Sequence, residues 1–75
     1  MTNKQNLTLD IENFSMNLYR IRTEKGKSRE ELADEIGLAD QRIIYDYESG
    51  VKFPRLDRAL KIAIALSVDL DSMFR

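Results

Sequence analysis

Three glycines divide this chain into short segments, and they limit what it can fold into more than any other feature. Gly26, Gly37 and Gly50 each follow a run of residues with helical spacing. Glycine readily adopts the left-handed backbone conformation that commonly ends an α-helix. We therefore expect a helix to end just before each glycine, and the fold to be all-α.

Apolar residues at helical spacing predict five helices. The first spans roughly residues 13 to 25. The second starts after Ser28, and Glu31 completes a capping box. The third starts at Asp40, a favoured N-cap residue. The fourth starts near Leu56, and a short fifth helix follows Asp69. The core residues predicted on these helices are Phe14, Leu18, Ile21, Leu32, Ala33, Ile36, Ile44, Tyr47, Leu60, Ala63, Ile64, Leu66, Leu70, Met73 and Phe74.

Residues 1–12 form an N-terminal extension with a different pattern. Leu7, Leu9 and Ile11 alternate with polar residues, which is the period of a β-strand. A lone strand does not stabilise itself. Two alternatives remain, of which we favour the first: a frayed tail, or a short arm that pairs with a second copy of the chain. Residues 13–75 then form the single folded domain.

The composition argues against an enzyme. The sequence contains no cysteine and no histidine, so the usual thiolate nucleophile, general base and zinc ligand are all missing. No glycine-rich phosphate loop or metal-ligand cluster occurs. We therefore expect no cofactor, no metal site and no small-molecule ligand. No run of apolar residues approaches the length of a membrane helix, and the lack of cysteine suits a reducing cytoplasm.

The second and third helices are joined by a short, glycine-containing turn. Two helices connected in this way are typical of a helix-turn-helix, whose second helix enters the major groove of DNA with its N-terminal residues leading. Those residues are Gln41 and Arg42 here, and such side chains recognise adenine and guanine respectively. Tyr45 and Asp46 follow about one turn later. Tyr45 either contacts a thymine methyl group or phosphate, or packs on the second helix. Asp46 either accepts from cytosine or repels phosphates.

Three segments in order carry a resemblance to a known family. They are RTEKGKSREELADEIG, IYDYESGVKFP and ALKIAIALSVDLDSMF. Residues 14–74 resemble the Xre family of phage-repressor and Cro-like helix-turn-helix proteins. The resemblance implies a compact five-helix bundle of the lambda-repressor type that binds a double-stranded DNA operator in a sequence-specific way, often as a homodimer. It also implies a transcriptional repressor in the cytoplasm of a bacterium, or one encoded by a phage.

The resemblance assigns roles to particular positions. Residues expected to contact bases are Gln41, Arg42, Tyr45 and Asp46. Residues expected to contact the DNA backbone are Ser28, Arg29, Ser49, Lys52 and Arg55. Arg22 and Glu48 match a buried ion pair of the family. One departure is an additional residue in the turn, which we place at Leu38–Ala39.

A second hypothesis is a protein-interaction module, such as an antitoxin or accessory regulator with the same fold. The net charge of −1 favours it, because DNA-binding modules are more often basic. Acidic residues at 30, 31, 34 and 35 account for much of the negative charge. The dimer surface stays open between the end of the fifth helix, with Met73 and Phe74, and the arm at residues 7–11.

Overall fold

The computed structural model describes residues 3–75, with side chains from residue 12 onward. Four α-helices follow one another: α1 (Asn3–Glu24), α2 (Arg29–Glu35), α3 (Arg42–Glu48) and α4 (Leu56–Ala65). A 3₁₀ helix, Leu70–Phe74, takes the place of the predicted fifth α-helix. No strand occurs between residues 3 and 75. The all-helical prediction is therefore confirmed.

The first helix begins much earlier than predicted. Residues 7–11 are helical and belong to α1, so neither the favoured frayed tail nor the strand-like arm is confirmed. Leu7 and Ile11 are four positions apart, and Phe14 and Leu18 continue that helical spacing. A short segment can fit both the period of a β-strand and the period of an α-helix. The continuation beyond residue 12 favours the helix.

Every α-helix ends in the same pair of hydrogen bonds. After α2, the amide of Gly37 donates to the carbonyl of Asp34 at 3.1 Å. The amide of Leu38 donates to the carbonyl of Ala33 at 2.8 Å. This is the Schellman motif, which requires a left-handed residue after the helix. Gly37 supplies it with φ of 80°. After α4 the same position is taken by Ser67, with φ of 59°.

The capping box of α2 is confirmed. The Oγ of Ser28 accepts from the amide of Glu31 at 3.0 Å, and the amide of Ser28 donates to the Glu31 carboxylate at 2.8 Å. These bonds satisfy donors that the first helical turn leaves without intrahelical partners. α2 therefore has a fixed start as well as a fixed end, although it has only seven residues.

One core connects all the elements. α1 packs against α3 and the 3₁₀ helix, and α2 packs against α3 and α4. The predicted core positions on α1, α2 and α3 are buried, as are Ala63, Leu66 and Met73. The largest fully buried side chains are Phe14, Leu18, Leu32, Ile44, Ile62, Leu66 and Met73.

The inward face of α4 differs from the prediction. Leu60 and Ile64 are exposed, whereas Ala59, Ile62 and Ala63 are buried. α4 carries apolar residues on both sides, so the sequence alone does not choose between them. The two alanines let α4 pack closely around the buried Ile62, and Leu60 and Ile64 remain outside.

The C-terminal 3₁₀ helix is tied to α1. The side-chain amide of Asn17 donates to the carbonyl of Met73 at 3.0 Å, and Met73 is fully buried. The ring of Phe74 lies 5.4 Å from that of Phe14. Met73 therefore belongs to the core of the monomer and Phe74 packs against that core, which removes Met73 as a candidate for the dimer surface.

Candidate nucleic-acid interface

The turn between α2 and α3 spans residues 36–41. Leu38 is half-buried against the core, and Ala39 is exposed. The Schellman bonds at Gly37 and Leu38 fix the path of the chain as it leaves α2. Beyond this turn, α3 packs on α2.

α3 begins slightly later than predicted. Its first residue is Arg42, and Gln41 rather than Asp40 occupies the N-cap position. The Asp40 carboxylate nevertheless accepts a hydrogen bond from the amide of Arg42 at 2.9 Å. The same carboxylate lies 3.4 Å from the Arg42 guanidinium. Asp40 thus both stabilises the start of α3 and partly neutralises Arg42.

The outward side of α3 holds the four residues predicted to contact bases. Gln41, Arg42 and Tyr45 are exposed, with the Arg42 side chain 80% accessible. Asp46 is half-buried, and its carboxylate lies 3.8 Å from the ammonium of Lys52. The spacing of 42, 45 and 46 places these three residues on one face. We call the four residues Gln41, Arg42, Tyr45 and Asp46 the α3 edge.

The inward side of α3 is held by the core. Ile44 is fully buried, and Tyr47 is 4% exposed. The hydroxyl of Tyr47 accepts from the guanidinium of Arg58 at 3.1 Å, which links α3 to α4. Because one side of α3 is fixed, the α3 edge has a defined orientation on the surface.

Arg29 lies beside the α3 edge and contacts it directly. The centre of its guanidinium is 5.2 Å from the centroid of the Tyr45 ring, within the range of a cation–π interaction. The Nε of Arg29 donates to Glu48 at 2.9 Å. Arg29 therefore positions Tyr45, a role that the sequence analysis missed. A shallow cleft joins Arg29 to Asp40 and the first three residues of the α3 edge.

Glu48 is the buried centre of a three-residue ion cluster. Arg22 binds both of its carboxylate oxygens, and Arg29 binds Oε1. The Glu48 and Arg22 side chains are 4% and 7% exposed. The remaining Arg22 nitrogen, Nη1, donates to the carbonyl of Lys27 at 2.8 Å. A buried ion pair needs this full set of hydrogen bonds, because both charges have lost their water.

The predicted backbone-contacting residues occupy two kinds of position. Ser28 and Arg55 are the N-cap residues of α2 and α4. Ser49 and Lys52 lie in the loop after α3, and both are exposed. The amides of Val51 and Lys52 donate to the carbonyl of Asp46, so the loop folds back towards the α3 edge.

The part of the chain that the structure describes contains neither a membrane-spanning helix nor a candidate metal-binding group. No helix there is long and apolar enough to cross a membrane. No group of three acidic, histidine or cysteine side chains is arranged there to hold a metal ion.

Comparison with known proteins agrees with this geometry. A family model described as helix-turn-helix matches residues 18–73, which cover α2, the turn, α3, α4 and most of the 3₁₀ helix. A search of curated proteins gave no match. The family match confirms the resemblance seen in the sequence. The chain belongs to the helix-turn-helix family of DNA-binding regulators, of the Xre and lambda-repressor-like type.

Proposed function

We propose that the protein is a sequence-specific transcriptional repressor that inserts the start of α3 into the major groove of an operator. The observation that carries the proposal is the two-sided character of α3. Ile44 and Tyr47 fix one side in the core, while Gln41, Arg42 and Tyr45 project from the other. A helix held in this way presents its side chains to base edges without a large entropic cost on binding.

The residues of the α3 edge contact the bases in this proposal. Gln41 can bond the N6 and N7 atoms of adenine, and Arg42 the O6 and N7 atoms of guanine. Tyr45, which is 51% exposed, offers its ring to a thymine methyl group or its hydroxyl to a phosphate. Asp46 accepts from cytosine N4 once Lys52 turns towards the DNA backbone.

Backbone contacts surround the α3 edge. Ser49 and Lys52 follow α3, and Ser28 precedes α2. Arg55 stands at the N-terminus of α4, whose free amides favour a phosphate. Arg29 can donate from its Nη atoms to a phosphate while its Nε holds Glu48, since its side chain is 36% exposed. These contacts set the register of α3 but carry no sequence information themselves.

The protein is proposed to act as a homodimer in the cytoplasm of a bacterial cell. A dimer places two copies of α3 on one side of the duplex, with half-sites about 34 Å apart. Occupation of a promoter by such a dimer blocks transcription without any enzymatic step. No small molecule or cofactor is part of this proposal.

Selection of duplexes from a random pool tests the proposal. Bound duplexes are recovered at two salt concentrations. The expected enriched sequence is a palindrome whose half-sites are one helical turn apart. Specific binding then persists at the higher salt, where non-specific binding weakens steeply. Recovery of unrelated sequences, with binding lost entirely at higher salt, would contradict the proposal.

A protein-interaction module is the second candidate, and one observation favours it. Asp40 lies 3.4 Å from Arg42 and so offsets positive charge at the point where DNA would approach. The acidic residues of α2 add to this effect. A protein partner that copurifies with the chain, together with no retention of DNA at low salt, would support this candidate over the repressor.

A further inference from the structure

The outer side of α4 carries a row of large apolar side chains that is open to solvent. Leu56, Leu60 and Ile64 are 71%, 46% and 67% exposed. Their spacing of four residues places them in one ridge along the helix. We call these three residues the α4 ridge.

The α4 ridge is not needed to fold the monomer. The opposite side of the same helix already supplies the buried residues Ala59, Ile62 and Ala63. A helix that is apolar on both sides is usually buried on both sides. The α4 ridge therefore indicates a second surface that packs against α4.

The charges beside the α4 ridge fit a second copy of α4. Asp57 and Lys61 are both exposed and lie on the same flank of the ridge, one turn apart. In an antiparallel pair with a two-fold axis at Leu60, Leu56 meets the partner's Ile64. The same symmetry places Asp57 level with the partner's Ala63, on the flank where the partner's Lys61 lies two residues, about 3 Å, away along the helix axis. The long Lys61 side chain can span this offset, so two pairs of unlike charges form. Two ridges of this spacing interlock at the commonest helix crossing angle, about −50°.

We infer that two copies of the chain associate through the α4 ridge, in antiparallel orientation. The α4 ridge replaces the end of the 3₁₀ helix as the candidate dimer surface, because Met73 is buried in the monomer. The inference deepens the proposed dimeric operator binding and rests on it for its biological role, whereas the association itself is independent of DNA.

The dimer is expected to be weak in the absence of DNA. Stable interfaces bury about 800 Å² on each partner, and one row of three side chains with its flanks is smaller than this. The expected dissociation constant lies between micromolar and millimolar. Binding to a palindromic operator then reinforces the pair, because both copies are held on one duplex.

Sedimentation equilibrium of the full chain without DNA tests the inference. The weight-average mass of the parent should rise from 8.7 kDa towards twice that value as the concentration approaches millimolar. Leu60→Lys and, separately, Ile64→Lys should raise the dissociation constant at least about tenfold. The matched control is Met16→Lys on α1, since Met16 is 68% exposed. It should associate like the parent, and circular dichroism checks that each variant is folded.

Charge exchange tests the antiparallel geometry. Asp57→Lys and Lys61→Asp should each weaken association, because each brings like charges together across the two-fold axis. The double variant should restore it. Single exchanges without effect would overturn the antiparallel arrangement.

Two further outcomes would overturn the surface itself. One is a parent that stays monomeric up to millimolar concentration, and the other is a Met16→Lys variant that is as monomeric as Leu60→Lys. Either failure is distinct from failure of the proposed function. If the chain associates through the α4 ridge but selects no duplex, the repressor proposal is contradicted and the inference about the α4 ridge stands.

Discussion

At the scale of single residues, Glu48 decides how firmly α3 is attached to the rest of the domain. One carboxylate serves two arginines in very different surroundings. Arg22 is almost completely buried, whereas the Arg29 side chain is 36% exposed. Loss of a buried partner leaves an uncompensated charge, while loss of a solvated partner is largely screened by water.

Alanine substitutions at the two arginines should therefore differ sharply in their effect on stability. Arg22→Ala should lower the free energy of unfolding by about 3–5 kcal/mol, and Arg29→Ala by about 1 kcal/mol or less. Urea denaturation followed by circular dichroism measures both. Equal losses would contradict the assignment of Arg22 as the structural partner. A complete loss of folding in the Arg22 variant alone would agree with it.

Asp40 should limit DNA affinity through its charge. Asp40→Asn keeps an oxygen that can accept from the Arg42 amide but removes the ion pair with the Arg42 guanidinium. We expect DNA binding to tighten by about tenfold at low salt, since one negative charge is removed beside the phosphates. The effect should shrink at high salt.

The matched control for this change is Asp34→Asn, which removes the same charge from the exposed surface of α2. Titration of a labelled duplex at two salt concentrations compares the two variants. If both variants tighten binding equally, only net charge matters, and the specific role of Asp40 is wrong.

At the scale of elements, the C-terminal ends of the helices were more predictable than their starts. The glycines and the Ser28–Glu31 pair act locally, so the ends of α1, α2 and α3 and the start of α2 could be placed from neighbouring residues. The start of α1 carries no such local signal and was missed. No glycine follows α4, and the use of Ser67 in the left-handed position at its end was not predicted. The buried side of α4 could not be chosen from the sequence, because close packing by Ala59 and Ala63 depends on neighbours far along the chain.

Ser67 should be a point of strain at the end of α4. A residue other than glycine in the left-handed region costs roughly 1 kcal/mol. Ser67→Gly should therefore raise the free energy of unfolding by up to about 1 kcal/mol, which corresponds to roughly 4–8 °C in Tm for a domain of this size. Differential scanning calorimetry measures the change.

Ser49→Gly is the control for this prediction. Ser49 ends α3 with φ of −89°, an ordinary conformation for any residue. Glycine there relieves no strain and adds flexibility to the unfolded chain, so Tm should fall or stay the same. A rise in Tm for Ser49→Gly as large as that for Ser67→Gly would contradict the role of backbone strain.

At the scale of the whole molecule, the fold class was predictable because its signals are spread along the chain. The site was predictable only in part. The residues of the α3 edge could be proposed from their position after the turn, whereas the contacts of Arg29 with Tyr45 and of Asp40 with Arg42 depend on side-chain geometry. The helical course of residues 7–11 was missed, because a short alternating segment fits two periods.

The central claim is that the start of α3 reads base pairs while the loop after it holds the DNA backbone. The most direct test repeats the duplex selection with Arg42→Ala and Lys52→Ala beside the parent. Arg42→Ala should lose preference at one symmetric pair of positions, at a cost of about 1–3 kcal/mol in discrimination. Lys52→Ala should recover the parent's site with weaker binding and a smaller salt dependence. If Arg42→Ala selects the parent's site unchanged, α3 does not read the operator in the register described.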